Sequence, residues 1–274
     1  MGINILLEPL QYSFMQRAII ELILIGSLTS IIGVFLVLRN LAFLGEALSH
    51  GVFPGIILSF LLKVNLLVGA VVSGIITIIG ISLISKDRKT SANTATGILF
   101  TTMLALGIVL ISTVRNYKAD LTSLLLGDIL AVTWNDIALT LIVSVIVIAT
   151  LRLLWKKLII VSFDPSFASS IGINVARLDM ILYFLISLSI VVAIPAVGNL
   201  LVVALSIIPA ATARLSTNRI GPMVILSVIY GTLISVIALY LTYYLQVATG
   251  ATIVLLQAGW FLVVFSLKRL GKSA

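Results

Sequence analysis

The sequence has no cysteine, a single histidine and very little charge. The first absence excludes disulfides, thiolate metal sites and thiol nucleophiles together. A lone His50 cannot complete the two-histidine helix of a zinc protease. No GxxxxGK(S/T) loop occurs, so the chain has no P-loop with which to hold ATP, and there is no GxSxG nucleophile elbow. Charged residues make up 9% of the 274 residues, where soluble domains carry about 25%. The net charge of +8 is no nucleic-acid footprint, because the cations are scattered between apolar runs and form no basic stripe. What is abundant is apolar surface, at 61% of the residues. Runs of the roughly 20 residues needed to cross about 30 Å of hydrocarbon fill nearly the whole length, leaving no room for a soluble domain. The first residues hold Glu8 and Pro9, with no basic stretch and no small-residue cleavage site, so the first apolar segment is expected to remain in the mature protein.

Hydropathy and length place spans near residues 14–38, 41–62, 66–85, 94–114, 136–155, 178–197, 199–215, 220–245 and 251–269. The apolar stretch from Leu121 to Val132 is too short to cross, contains Gly127 and Asp128, and reads as a re-entrant or interfacial helix. Cytoplasmic loops carry the excess of Lys and Arg. With Lys86, Arg88 and Lys89 inside, alternation puts Arg39, Arg152, Lys156, Lys157, Arg177, Arg214, Arg219, Lys268, Arg269 and Lys272 on the same side. That makes thirteen cations inside, against Arg17, Lys63, Arg115 and Lys118 outside. The N-terminus is then external and the C-terminus cytoplasmic. An eight-crossing version, in which 199–215 or 41–62 fails to span fully, stays open. The expected fold is an all-α polytopic membrane protein with eight to nine transmembrane helices. It forms a single domain over residues 1–274, with a cytoplasmic segment at 156–179.

Proline and glycine fall inside the apolar runs: Pro54 in the second, then Pro195, Gly198 and Pro209. Each proline frees a backbone carbonyl, which in a membrane must be satisfied by a neighbouring helix or a water-lined cavity. Breaks lining a pathway and plain structural kinks are both consistent with this placement.

Of the nine acidic residues, only Glu46 lies clearly within a span. A carboxylate at the centre of such a helix costs about 2.5–3.5 kcal/mol on insertion scales, so it calls for a partner. His50 follows four residues later and shares its helical face. Carboxylate oxygen and neutral imidazole nitrogen both ligate first-row divalent metals. Two ligands are too few for a site, but a two-fold homodimer with this helix on the axis supplies four. The same two groups could instead satisfy each other in a packed bundle, or form a proton relay.

Other constellations are plainer. Arg17 and Glu21 stand four apart at the outer end of the first span, where a local ion pair accounts for them. Arg115, Tyr117, Lys118, Asp120 and Asp128 make a polar outer segment, read as a solvated loop or a partner contact. In FDPSFASSIGIN, residues 163–174, Asp164 and Pro165 have the form of a helix start, as N-cap and first helical residue. Ala168 and Gly172 would then share one side, leaving a smooth patch suited either to docking in a groove of another protein or to resting on headgroups.

Eight segments in order carry a family likeness: FMQRAI (14–19), GVFLVLRN (33–40), LGEALSHGVFPG (44–55), TGILF (96–100), DLTSLLLGDIL (120–130), FDPSFASSIGI (163–173), VGNLLVVALSIIPAATARLST (197–217) and TGATIVL (249–255). Together they resemble the integral-membrane permeases of bacterial ABC importers for manganese, zinc and iron. The resemblance implies a BtuC-like importer permease in the plasma membrane. It implies a homodimer paired with two cytoplasmic ABC ATPases that bind ATP, and an extracytoplasmic metal-binding protein that feeds it. No stably bound cofactor is implied; the divalent metal is cargo. The family's pathway acid and histidine fall on Glu46 and His50, with glutamate where aspartate is more usual. Its ATPase-coupling region falls on Asp164, Pro165, Phe167, Ala168 and Gly172. Manganese is the first expectation for the cargo, with zinc or iron as alternatives, and the SHGVFPG form is nearer to manganese and iron members. The reading from another class is a stand-alone, gradient-driven cation carrier or channel using Glu46 and His50 as a relay.

Overall fold

The structure is a computed structural model that describes residues 8–85, 90–113 and 127–270, and its regular elements are all helical. Lys86, Arg88, Lys89, Arg115, Tyr117, Lys118 and Asp120 lie outside the described residues, as does most of the segment read as re-entrant. In hydrocarbon no water is at hand to satisfy backbone N–H and C=O groups, so apolar runs of this length close their hydrogen bonds within the segment as helices.

The helices are α1 (Ser13–Leu38), α2 (Ala42–Gly51), α3 (Phe53–Leu61), α4 (Leu66–Ile84), α5 (Ala92–Ser112), α6 (Trp134–Phe163), α7 (Pro165–Ser170), α8 (Val175–Asn199), α9 (Leu201–Ser216), α10 (Ile220–Leu245) and α11 (Thr249–Leu270). Eight stretches are long and apolar enough to cross a membrane, with α2 and α3 together making one of them. Of the eight to nine spans expected, eight meet the length; the ninth candidate, α9, is short, at about 1.5 Å per residue, for about 30 Å of hydrocarbon. The reason is Gly198, whose φ of +78° interrupts the run that would otherwise have lengthened it. Charge still favours α9 reaching the far side. If it turned back, Arg214, Arg219, Lys268, Arg269 and Lys272 would move outside and the cation bias would vanish, eight against nine. Helix α6 continues through residues 156–163, at the start of the segment expected to be cytoplasmic.

The helices sort into two compact units. One holds α1, the start of α6 as far as Ser144, the last part of α8, and α9 to α11. Its helices approach at small residues. A Cβ built on Gly33 of α1 would fall 1.7 Å from the Ser206 carbonyl oxygen of α9, and one on Gly231 of α10 would fall 2.1 Å from the Ser30 hydroxyl. The Ser227 hydroxyl of α10 donates to the Ser30 carbonyl at 3.1 Å. The second unit holds α2 to α5, the rest of α6, α7 and most of α8. Gly55 on α3 and Gly69 on α4 meet backbone to backbone, each leaving no room for a Cβ. Small residues at helix contacts are how membrane helices gain close packing without a hydrophobic drive.

Candidate functional site

The second unit is where the ionisable pair sits. Glu46 and His50 lie one turn apart on one face of α2. Glu46 is exposed on the chain's surface, and His50 is half-buried. The imidazole stands edge-on to the Phe100 ring of α5, with centroids 5.1 Å apart and planes at 82°. Phe43, one turn before Glu46's neighbour Ala47, packs against the same Phe100 at 5.9 Å. An aromatic wall therefore limits how the imidazole can turn, while the Glu46 carboxylate stays near enough to act on it electrostatically. Among the described residues no three His, Cys, Asp or Glu side chains gather in a metal-holding group. Glu46 and His50 stand on α2 as a pair.

The helix carrying the pair ends just below it. Val52 is the hinge between α2 and α3, and Pro54 occupies the first turn of α3, where a missing N–H costs least. Hydrogen bonding nevertheless runs on across the joint, with Val52 N–H donating to Leu48 and Ile56 N–H to Val52, both at 3.2 Å. The Gly51 carbonyl accepts from the Ser73 hydroxyl at 2.7 Å and from Thr77 at 3.4 Å, both on α4. Those hydroxyls fix the joint, and they stand four apart on α4, a spacing that could have flagged them in the sequence. The other two prolines lie in the first unit. Pro195 is exposed and sits inside continuous helix, and the break falls at Gly198 instead. Pro209 is buried within α9 and breaks nothing.

Helix α7 forms as its residues indicate. The Asp164 carboxylate accepts from the Phe167 N–H at 2.8 Å, with Pro165 in the first turn. Its far end closes as a Schellman turn, with Ile173 N–H donating to Ala168 at 3.0 Å and Gly172 N–H to Ser169 at 3.1 Å. Gly172 takes φ +80° to do this and has open space around it. The smooth patch needs correction: Ala168 is fully buried and faces inward. What this stretch presents is apolar and large: Phe163 at the end of α6, Phe167 on α7 and Ile171 at its C-cap are each 50% or more exposed.

A second correction concerns Glu21. It is buried, only 1% exposed, and its carboxylate accepts from the Thr140 hydroxyl of α6 at 2.6 Å. Among the described residues the one ion pair is Arg39–Asp179, so Arg17 and Glu21 do not form the surface pair their spacing suggests. Asp128 caps a short turn, accepting from Ala131 N–H at 3.2 Å. It borders a mostly apolar cavity of ≈ 620 Å³ that also touches Val197, Leu201, Thr249 and Ile253, all in the first unit and away from Glu46 and His50 in sequence and unit alike.

The model of the ABC 3 transport family matches residues 11–268. The chain belongs to that family. Its relatives there include the manganese transport system membrane protein MntC of Listeria monocytogenes, 38% identical over 93% of this chain and 91% of that one. Another, from Haemophilus influenzae, carries the name "Probable iron transport system membrane protein" and is 32% identical over 97% of both chains. Among solved structures, PsaBC from Streptococcus pneumoniae in complex with Fab matches with a TM-score of 0.87 and 36% identity, covering 97% of this chain and 95% of that one. With eight membrane-crossing stretches and bacterial relatives throughout, this ABC 3 member is a multi-pass protein of the bacterial plasma membrane and a transporter's membrane component.

Proposed function

We propose that the chain is the permease subunit of an ATP-driven importer for divalent transition-metal ions, with manganese the favoured cargo and iron or zinc the alternatives. The observation that carries this reading is Glu46. It lies exposed on the surface of an apolar span, one turn from the only histidine. Facing lipid it would cost about 2.5–3.5 kcal/mol, so that face of α2 calls for protein or a water-filled path. A second copy placed there by a two-fold axis brings two carboxylates and two imidazoles to one point, a four-ligand set of the kind a divalent metal takes. Pathway metal sites must also release their ion, and a half-set per chain lets a small movement between copies undo the site. The hydroxyl-braced joint at Val52 and Pro54 gives that helix a fixed turning point.

In this reading residues 1–274 act as one transmembrane permease domain, and cytoplasmic ATPase subunits, one per copy, bind and hydrolyse the ATP. The exposed Phe163, Phe167 and Ile171 on and beside α7, with Asp164, Pro165 and Gly172 shaping the two ends of that helix, dock in their grooves. An extracytoplasmic binding protein delivers the metal. Membership of the ABC 3 family weighs against a stand-alone gradient-driven carrier. Manganese rests on the closer likeness, 38% to the manganese protein against 32% to the iron-named one. Hard carboxylate oxygen suits manganese as well, although imidazole also serves zinc. The test is uptake of radiolabelled manganese, iron and zinc by the assembled transporter with and without ATP. ATP-independent uptake that collapses with the membrane gradient would overturn the proposal.

A further inference from the structure

The one ion pair among the described residues joins two places that matter for the function just proposed, on which this inference rests. Arg39 Nη2 donates to Asp179 Oδ1 at 2.6 Å across 140 positions of sequence. Both side chains are largely covered, 11% and 26% exposed. Arg39 opens the turn that leads into α2, where Asn40 takes φ +54°, and Glu46 follows two turns later. Asp179 sits in the second turn of α8, close behind the cytoplasmic helix α7. The chain between α7 and α8 is short and tied at both ends. Ile173 N–H is bonded back to Ala168, while Asn174 caps α8 by accepting from Arg177 N–H at 3.0 Å and Leu178 N–H at 3.2 Å. Tyr183, one turn beyond Asp179, lies within electrostatic reach of both charges.

We infer that Arg39 and Asp179 are positioning residues that carry movement of the docking helix to the metal-bearing helix. A push on α7 moves the first turns of α8 through the capped link, and the ion pair passes it to the turn before α2. An exposed surface pair would be too weak and too mobile for this. A largely covered one is stiff, because breaking it leaves a buried charge alone, and Arg39 Nη1 already lacks a partner.

The test is metal uptake and ATP hydrolysis measured together on the intact transporter in liposomes, for wild type, Asp179→Asn, Arg39→Gln and the exchange Arg39→Asp with Asp179→Arg. The expected result is that hydrolysis continues in the single variants while ions moved per ATP fall at least about fivefold, the low end of ordinary coupling energies. The exchange should recover part of the ratio. Uptake and hydrolysis falling in equal proportion, or a ratio unchanged in Asp179→Asn, would overturn the inference and leave the pair as a fold-stabilising contact. If wild type itself moves no metal with ATP, it is the proposed function that fails, and the two failures are thereby told apart.

Discussion

Two glutamates in successive apolar spans have opposite surroundings. Glu21 on α1 is sealed from solvent and bonded to Thr140, whereas Glu46 on α2 is open and stands one turn from His50. A carboxylate enclosed by its own chain is a packing element, because nothing can reach it without disrupting the helices around it. One left open on a helix face, beside an imidazole packed on Phe100, is placed as the proposed metal role requires. In the proposed reading, accessibility next to a second donor, and not burial, singles out Glu46 over Glu21.

Substitutions can break that contrast. The largest effect is expected at the open pair: Glu46→Ala or His50→Ala should lower metal uptake by at least about 10–100-fold, the scale set by weaker perturbations of metal sites, with membrane abundance unchanged. Abundance by blotting and uptake by isotope counting check the two halves separately. Next, Gly55→Leu should abolish folded transporter, because its side chain would occupy the Gly69 backbone; thermal unfolding in detergent reads this. Glu21→Ala should cost about 1–3 kcal/mol by stranding the Thr140 hydroxyl, with Glu21→Gln milder, and uptake per folded molecule should stay normal in both. The smallest effect is expected for Glu46→Asp, which keeps the oxygen donor and should retain uptake while changing the preference between manganese and zinc in competition assays.

The sequence carried the spans well, because apolar length is read directly from composition: α1, α4 and α10 begin and end within a residue or so of expectation. It placed Glu46 and His50 on one helical face too, since spacing of four on a helix is a local property. It misplaced whatever depended on the third dimension. The break after Pro195 falls at Gly198, because only the glycine takes φ +78° without strain, and a proline can ride inside a helix where neighbours satisfy the carbonyl it frees. Arg17 and Glu21 share a face by spacing, yet Thr140, 119 residues away, claims the carboxylate. Ala168 and Gly172 were expected together on an outer patch, but α7 turns its alanine inward and its phenylalanine outward. Long-range contacts of this kind leave no local spacing to read.

The most direct measurement is ATP-dependent uptake of radiolabelled manganese and zinc by the assembled transporter, comparing wild type with Glu46→Ala, His50→Ala and Glu21→Gln at matched amounts of folded protein. The account predicts that uptake of one metal disappears in the first two variants and persists in the third. Uptake that persists in Glu46→Ala and His50→Ala, or that disappears in Glu21→Gln alone, would contradict it and move the metal's route away from α2.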